Sequence, residues 1–265
     1  MAGGPYRKAA LVIGLCALLL VPSLEAWQRF RNPFRSRQRE FQFNPNEKAE
    51  FFFTRLMYNG GRRGGWRGGW ATDYPEAETH FMQGVRRLTN IDAAEGGKVI
   101  RPLDDDLFDN PWLYGVEVGG WDLDQDEADH LREYLLRGGF LMVDDFHGTY
   151  EWANFLASMK RVFPDRPIIE IDPKDHLLHV LYDLDERVQI PGIQYVRSGR
   201  TYEEDGYVPY WRGIRDDQGR VMVAINFNMD MGDAWEHADY PEYPEKMTAL
   251  AYRFGINYII YSMTH

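Results

Sequence analysis

Alternating strand-like and helix-like segments predict an α/β fold, a mainly parallel sheet with helices on both faces. Three observations carry that expectation. First, AEFFFTRLMY (Ala49 to Tyr58), WLYGVEV (Trp112 to Val118) and FLMVDD (Phe140 to Asp145) are apolar on both faces, as buried parallel strands are. Second, the intervening segments repeat apolar residues at helical spacing. Third, those segments carry boundary signals: Asp73 with Glu76 and Asp124 with Glu127 stand at capping-box spacing, and Gly138 with Gly139 permit a left-handed helix end.

Taken in order, the strand at 49–58 is followed by a glycine-rich loop and a helix bearing Ala77, Phe81, Val85 and Leu88, ending near Asn90. KVIRPL (Lys98 to Leu103) and WLYGVEV are the second and third strands. A helix with Ala128, Leu131 and Leu135 on one face leads into FLMVDD. The next helix carries Trp152, Phe155, Leu156, Met159 and Val162 and stops before Pro164. PIIEI (Pro167 to Ile171) reads as a fifth strand, and DHLLHVLYDL places His176 and His179 three residues apart on an expected helix. Val188 to Gly213, rich in Gly, Tyr and Pro, is expected to be irregular. A hairpin follows, turning at Asp216, Asp217 and Gly219. Met247, Leu250, Ala251, Phe254 and Tyr258 close the domain on a helix from Glu245 to Tyr261.

The start of the chain predicts export. Arg7 and Lys8 precede an apolar stretch from Ala9 to Val21, and Pro22 to Ala26 offer a small-residue exit. That stretch is shorter than the roughly 20 residues a bilayer span needs, so cleavage after Ala26 and no membrane span thereafter are expected. Leu15 before Cys16 argues against a lipid anchor. Residues 27–48 form a basic arm with Arg29, Arg31, Arg35, Arg37 and Arg39, and residues 49–265 form one domain. The formal net charge of −11 becomes about −12 without residues 1–26. Such a surface repels phosphate backbones and disfavours nucleic acid as a partner. Cys16 is the only cysteine, so the exported domain has no disulfide, no thiolate metal site and no cysteine nucleophile.

In an open parallel sheet, ligands bind at the carboxyl ends of the strands. Three segments are expected at that rim. GGRRGGWRGGW (Gly60 to Trp70) offers Arg62, Arg63 and Arg67 to an anion and Trp66 and Trp70 to a planar or sugar face, while lacking the pattern of a phosphate loop. DDFHG (Asp144 to Gly148) sets two carboxylates beside His147 at a strand-to-helix turn, where at most one faces the crevice directly. NFNMDMGDAWEHADYPEYP (Asn226 to Pro244) gathers Asp230, Asp233, Glu236, His237 and Asp239 around Trp235, in a spacing that matches neither an EF-hand nor a zinc helix. Asp145, His147, Glu236 and His237 are the candidate catalytic groups. Trp66, Trp70, Asp73, Asp144, Asp145, His147, Asp233 and Trp235 are the candidate ligand-binding residues. The pattern favours a polar site over a metal centre, and no cofactor is expected. No Gly-x-Ser-x-Gly elbow supports a serine hydrolase.

The succession FTRLMY, GWATDYPEAETHF, RRLTNI, LREYLLRGGFLMVDDFHG, VFP, DHLLHVLYDL, GDAWEH and RFGINYIIYSMTH resembles a bacterial family, domain of unknown function 4159, from Ala49 to the end of the chain. The resemblance implies a flavodoxin-like fold similar to class I glutamine amidotransferases, and no activity. Amidotransferases of that fold place a cysteine on a strand-to-helix turn, for which Asp144 to Gly148 looks like the nearest equivalent. Glutaminase chemistry is therefore disfavoured. GGFLMVDDFH also looks similar to sugar-associated relatives of the fold. The expectation is an exported binding or accessory domain of the cell envelope, periplasmic or secreted. It would offer its crevice to a small polar ligand, a glycan or an envelope protein; the alternative is a hydrolase or carbohydrate-active enzyme using Asp and His.

Overall fold

A computed structural model describes residues 44, 47–60 and 69–265. The expected signal, nearly all of the basic arm, and Trp66 with Arg62, Arg63 and Arg67 lie outside the described residues. No helix among the described residues is long and apolar enough to cross a membrane.

Seven strands form one sheet in the order β2-β1-β3-β4-β7-β6-β5. β1 (Phe51–Leu56), β2 (Ala93–Ile100), β3 (Trp112–Val116), β4 (Phe140–Asp144) and β7 (Val221–Phe227) run parallel. β6 (Tyr210–Arg215) and β5 (Ile169–Glu170) add an antiparallel edge. β3, β4 and β7 are buried along their whole length, which explains their unbroken hydrophobicity.

Helices cover both faces. On one, α1 (Glu76–Leu88), α5 (Met231–Glu236) and α6 (Glu245–Thr264) enclose Phe53, Trp112, Tyr114, Phe140, Met142, Trp235 and Phe254. On the other, α2 (Gln125–Leu136) and α3 (Gly148–Val162) enclose Leu113, Leu141, Val143, Leu131, Phe155 and Ile225. Alternate residues of β3 and β4 therefore feed separate cores. α2 starts on a full capping box: Glu127 N–H donates to Asp124 Oδ1 at 2.9 Å, and Asp124 N–H donates to Glu127 Oε2 at 3.0 Å. Gly138, at φ 113°, ends it.

Four expectations need correction. The capping box at Asp73 and Glu76 does not form, because Asp73 adopts φ 62°, Pro75 occupies the cap position and no side chain caps α1. β2 begins at Ala93, five residues before Lys98, because AAEGG pairs alongside β1 despite its two glycines. PIIEI contributes only the two exposed residues of β5, an antiparallel edge strand. His176 and His179 do not share an α-helix; only His176–Leu178 turns, as a single 3₁₀ segment, and His179 bonds Asp183 and the Pro173 carbonyl. Within the segment expected to be irregular, a short α4 (Gln194–Ser198) forms.

One buried ion pair fixes the strand-to-helix geometry beside the rim. Arg55 in β1 has no exposed side-chain surface and pairs with Glu78 of α1, equally buried. Its Nη1 donates to the carbonyls of Trp70 (2.9 Å) and Thr72 (2.8 Å), and its guanidinium lies 5.1 Å from the Tyr114 ring centre. Removing one member leaves a buried charge without its counterion. Glu78→Ala should therefore cost about 3 to 5 kcal/mol in urea unfolding, and Arg55→Met combined with Glu78→Leu should recover most of it. Equal loss in the single and double variants would contradict this account.

Candidate functional site

The parallel strands deliver their carboxyl ends to one rim, and the rim is where the backbone departs from ordinary conformations. Among the described residues, the non-glycine positions at positive φ are Asp73 (62°), Glu117 (54°), Asp145 (53°), Glu204 (46°) and Asn228 (63°). Glu117, Asp145 and Asn228 immediately follow β3, β4 and β7. Asp73 follows β1 through its loop, and Glu204 lies against Gly148 at the start of α3. Backbone of this kind is costly for a residue with a side chain and concentrates at functional sites.

Asp144 and Asp145 part company at the end of β4. Asp144 has no exposed surface; its Oδ2 accepts from the N–H groups of Met231 (2.7 Å) and Gly232 (3.1 Å) and from the Tyr114 hydroxyl (3.4 Å). It holds the start of α5 against the sheet. Asp145 turns the other way through its left-handed backbone, and its Oδ1 lies 3.2 Å from His147 Nε2. The two side chains thus take different surroundings, as expected of successive residues at a strand end. His147 is 5% exposed, its N–H donates to Glu151 (2.7 Å), and its Nδ1 is enclosed without a hydrogen-bond partner.

The segment after β7 supplies the remaining acids. Asp230 Oδ1 caps α5 by accepting from Asp233 N–H at 2.7 Å. Asp233 Oδ2 accepts from Ile193 N–H at 2.6 Å, while its Oδ1 lies 3.3 Å from His237 Nε2, which is also 3.4 Å from Glu236 Oε2. Donor atoms of three groups each lie within 4.8 Å of one another: Asp145 with His147 and Glu203, Asp73 with Asp230 and Asp233, and Asp233 with Glu236 and His237. Asp233 belongs to the last two.

Close approach is possible because two α-carbons are bare. A methyl group on Gly232 would sit 2.3 Å from Asp73 Oδ2, and one on Gly192 would sit 2.6 Å from Asp230 Oδ2 and 2.9 Å from Asp233 Oδ2. Asn228 ties the surrounding loops together, its amide accepting from Gly148 N–H (2.9 Å) and donating to the Val208 carbonyl (2.7 Å).

Electrostatics follow from burial and crowding. Burial, with the neighbouring Asp233 and Asp145, holds Asp73 well above the ordinary carboxylate range. Burial and then Glu117, Glu203 and Asp233 do the same for Asp145, and burial with Asp145 and Asp233 for Asp230. Burial pushes Asp144 up to about 7 against its two backbone hydrogen bonds. Asp233 moves down: burial would raise it, but hydrogen bonds from His237, Asp230 and Ile193 outweigh that. His237 moves up, because Asp233 and Glu236 outweigh the lowering effect of burial.

Of the candidate residues, the structure brings Asp73, Asp144, Asp145, His147, Asp233, Glu236 and His237 to this rim. Trp235 is not with them: it is fully buried and stacks on Phe81 at 4.3 Å, a core residue under the site. Trp70 is half-buried beside Tyr74. Glu203, Glu117 and Asn228 belong to the rim and carry no motif; an acid ending the hydrophobic run WLYGVE was the available signal for Glu117. Two grooves lie elsewhere, one of about 630 Å³ between α1 and α6 beside Gly84 and Tyr252, another of about 540 Å³ by Trp152 and Arg212. Neither contains a carboxylate paired with an imidazole at a strand end, so chemistry rather than volume marks the site.

A family model described as a domain of unknown function, DUF4159, matches residues 52–263. The chain belongs to the DUF4159 family. No curated protein matches it. The matched span of this DUF4159 domain runs from β1 to the end of α6 and thus includes every rim residue described above.

The raised carboxyls give a pH dependence of definite sign. A carboxyl whose folded pKa exceeds its unfolded value stabilises the fold while it keeps its proton, fully so below about pH 4. That contribution disappears as pH rises through the folded value, near 7 for Asp144. With a chelator present, stability to urea should fall from about pH 5 to about pH 8, and Asp144→Asn should flatten the slope. A stability that climbs across this interval would refute the assignment.

Proposed function

We infer that this is an exported, non-amidotransferase binding or accessory domain of the bacterial cell envelope, whose strand-end crevice takes a small polar ligand. With β6 and β5 set aside, the order β2-β1-β3-β4-β7 follows the 2-1-3-4-5 pattern of flavodoxin-like sheets, which supports a placement near class I glutamine amidotransferases. The turn where such an enzyme would carry its cysteine holds Asp145 in a left-handed conformation. The exported chain has no thiol for that position, since Cys16 lies in the segment read as a signal. Export itself rests on Ala9 to Val21 and the small-residue exit that follows.

The observation that carries the reading is the convergence of strained polar backbone and crowded carboxyls on one rim. Carboxyl groups accept hydrogen bonds from hydroxyls and repel anions. The ligand class this favours is a neutral polyol or glycan. One observation favours an enzyme instead. Asp145 holds one ring nitrogen of His147 and leaves Nδ1 unengaged, the arrangement by which a carboxylate orients an imidazole base.

Calorimetric titration with neutral saccharides and with sugar phosphates tests the reading. A neutral saccharide should bind saturably, and Asp145→Asn should weaken it at least about tenfold, the loss expected when one buried hydrogen-bonding group is mismatched. Binding of sugar phosphates alone, or full affinity in Asp145→Asn, would overturn it. Turnover of the bound saccharide that vanishes in His147→Ala would establish the enzyme.

A further inference from the structure

α1 and α6 approach each other at two bare α-carbons. A methyl group on Gly84 of α1 would sit 2.2 Å from Cε1 of Tyr252, and one on Gly255 of α6 would sit 2.6 Å from the Phe81 ring. Tyr252 therefore rests directly against the backbone of α1, its ring centre 5.7 Å from that of Phe81. Beside this contact runs the groove of about 630 Å³, with Leu88, Tyr182, Ala249, Tyr252 and Ile256 as its apolar lining. Leu88, the last residue of α1, is 54% exposed.

The groove is held open by the fold. Tyr182 N–H donates to Asn257 Oδ1 at 2.9 Å, and Asn257 Nδ2 donates back to the Tyr182 carbonyl at 2.8 Å. Asn257 is fully buried, so the loop carrying Tyr182 is fixed to α6 from within. A preformed apolar surface of this kind costs little ordering when something fills it.

Charge supplies the second observation. Arg87 of α1 and Arg253 of α6 line the same groove and are exposed. Among the described residues neither enters an ion pair or a side-chain hydrogen bond. Elsewhere Arg132, Arg161, Arg166, Arg212, Arg215 and Arg220 each pair with an aspartate or glutamate. Acids are plentiful, since the chain has 41 of them against 30 bases. Asp239, the acid among the lining residues, lies 3.9 Å from His80 Nε2. Two guanidiniums against one carboxylate leave the groove positive on a negative protein, and guanidinium is suited to a carboxylate ligand.

We propose that the groove between α1 and α6 binds a small amphiphilic anion, its hydrocarbon body on Ala249, Tyr252 and Ile256 and its carboxylate between Arg87 and Arg253. The volume lies in the range of roughly 300 to 1,000 Å³ that suits a small molecule. An anionic membrane surface would meet the net charge of −11, whereas a single small anion meets only the two arginines. None of the rim acids lines this groove, so the inference is independent of the crevice.

The test is calorimetric titration of the purified chain with octanoate, decanoate and dodecanoate, each below its micelle concentration. One molecule should bind per chain, with affinity rising about threefold per added methylene. Decanol should bind more weakly than decanoate, and decyltrimethylammonium not at all. Arg87→Gln combined with Arg253→Gln should weaken decanoate about tenfold, the loss of two exposed ion pairs. Ala249→Trp, at an exposed position of α6, should fill the groove and abolish binding with Tm unchanged. Absence of saturable decanoate binding, equal affinity for decanol, or full affinity in Ala249→Trp would overturn the proposal. Binding only to anionic vesicles or to an acidic helical peptide would overturn it equally.

Discussion

The structure depends on a carboxylate that never sees water. Asp144 ends the central strand β4 and receives the N–H groups of Met231 and Gly232, so the chain leaving β7 is tied to β4 at its first helical turn. Without a partner there, a buried acid would be costly and α5 would have no fixed origin. Because α5 is fixed, Asp230, Asp233, Glu236 and His237 acquire definite positions relative to Asp73 and Asp145. The site is therefore a consequence of sheet topology: only parallel neighbours put the ends of β3, β4 and β7 side by side.

Around that anchor the protein tolerates an arrangement that simple stability would avoid. Carboxyls crowd one another in low dielectric, and the chain turns at these points in left-handed backbone, on Asp73, Asp145 and Asn228, whose side chains tolerate it, and on Glu117 and Glu204, for which it costs more. Arg55 shows that a base can be buried in this fold, since it lies deep beside Tyr114 and is committed to Glu78 and two carbonyls.

The parts of the fold that obey local rules were legible. β3, β4 and α2 followed from hydrophobic period and a capping box, and the hairpin of β6 and β7 from Asp216 to Gly219. The misjudged parts were set by tertiary contacts. Asp73 matched a capping box in spacing, yet Pro75 displaced the cap and the carboxyl turned inward toward Gly232. The second strand was expected from Lys98, but AAEGG lies beside β1, and that pairing decides its state. In the site, DDFH and the acids after β7 were visible because charge follows a hydrophobic run. Trp235 was misplaced because periodicity does not tell which side of a short helix meets Phe81, and Glu203 was missed because a surface-like loop folds back onto α3.

The two bare α-carbons beneath the acids give the arrangement a sharp steric limit. Gly192 and Gly232 have no room for even one methyl group without displacing an oxygen of Asp230 or Asp73. The steric demand of the acids thus extends to positions with no chemistry of their own. A chain carrying alanine at either place could retain all of its carboxyls and imidazoles and still have lost the spacing that makes them a unit.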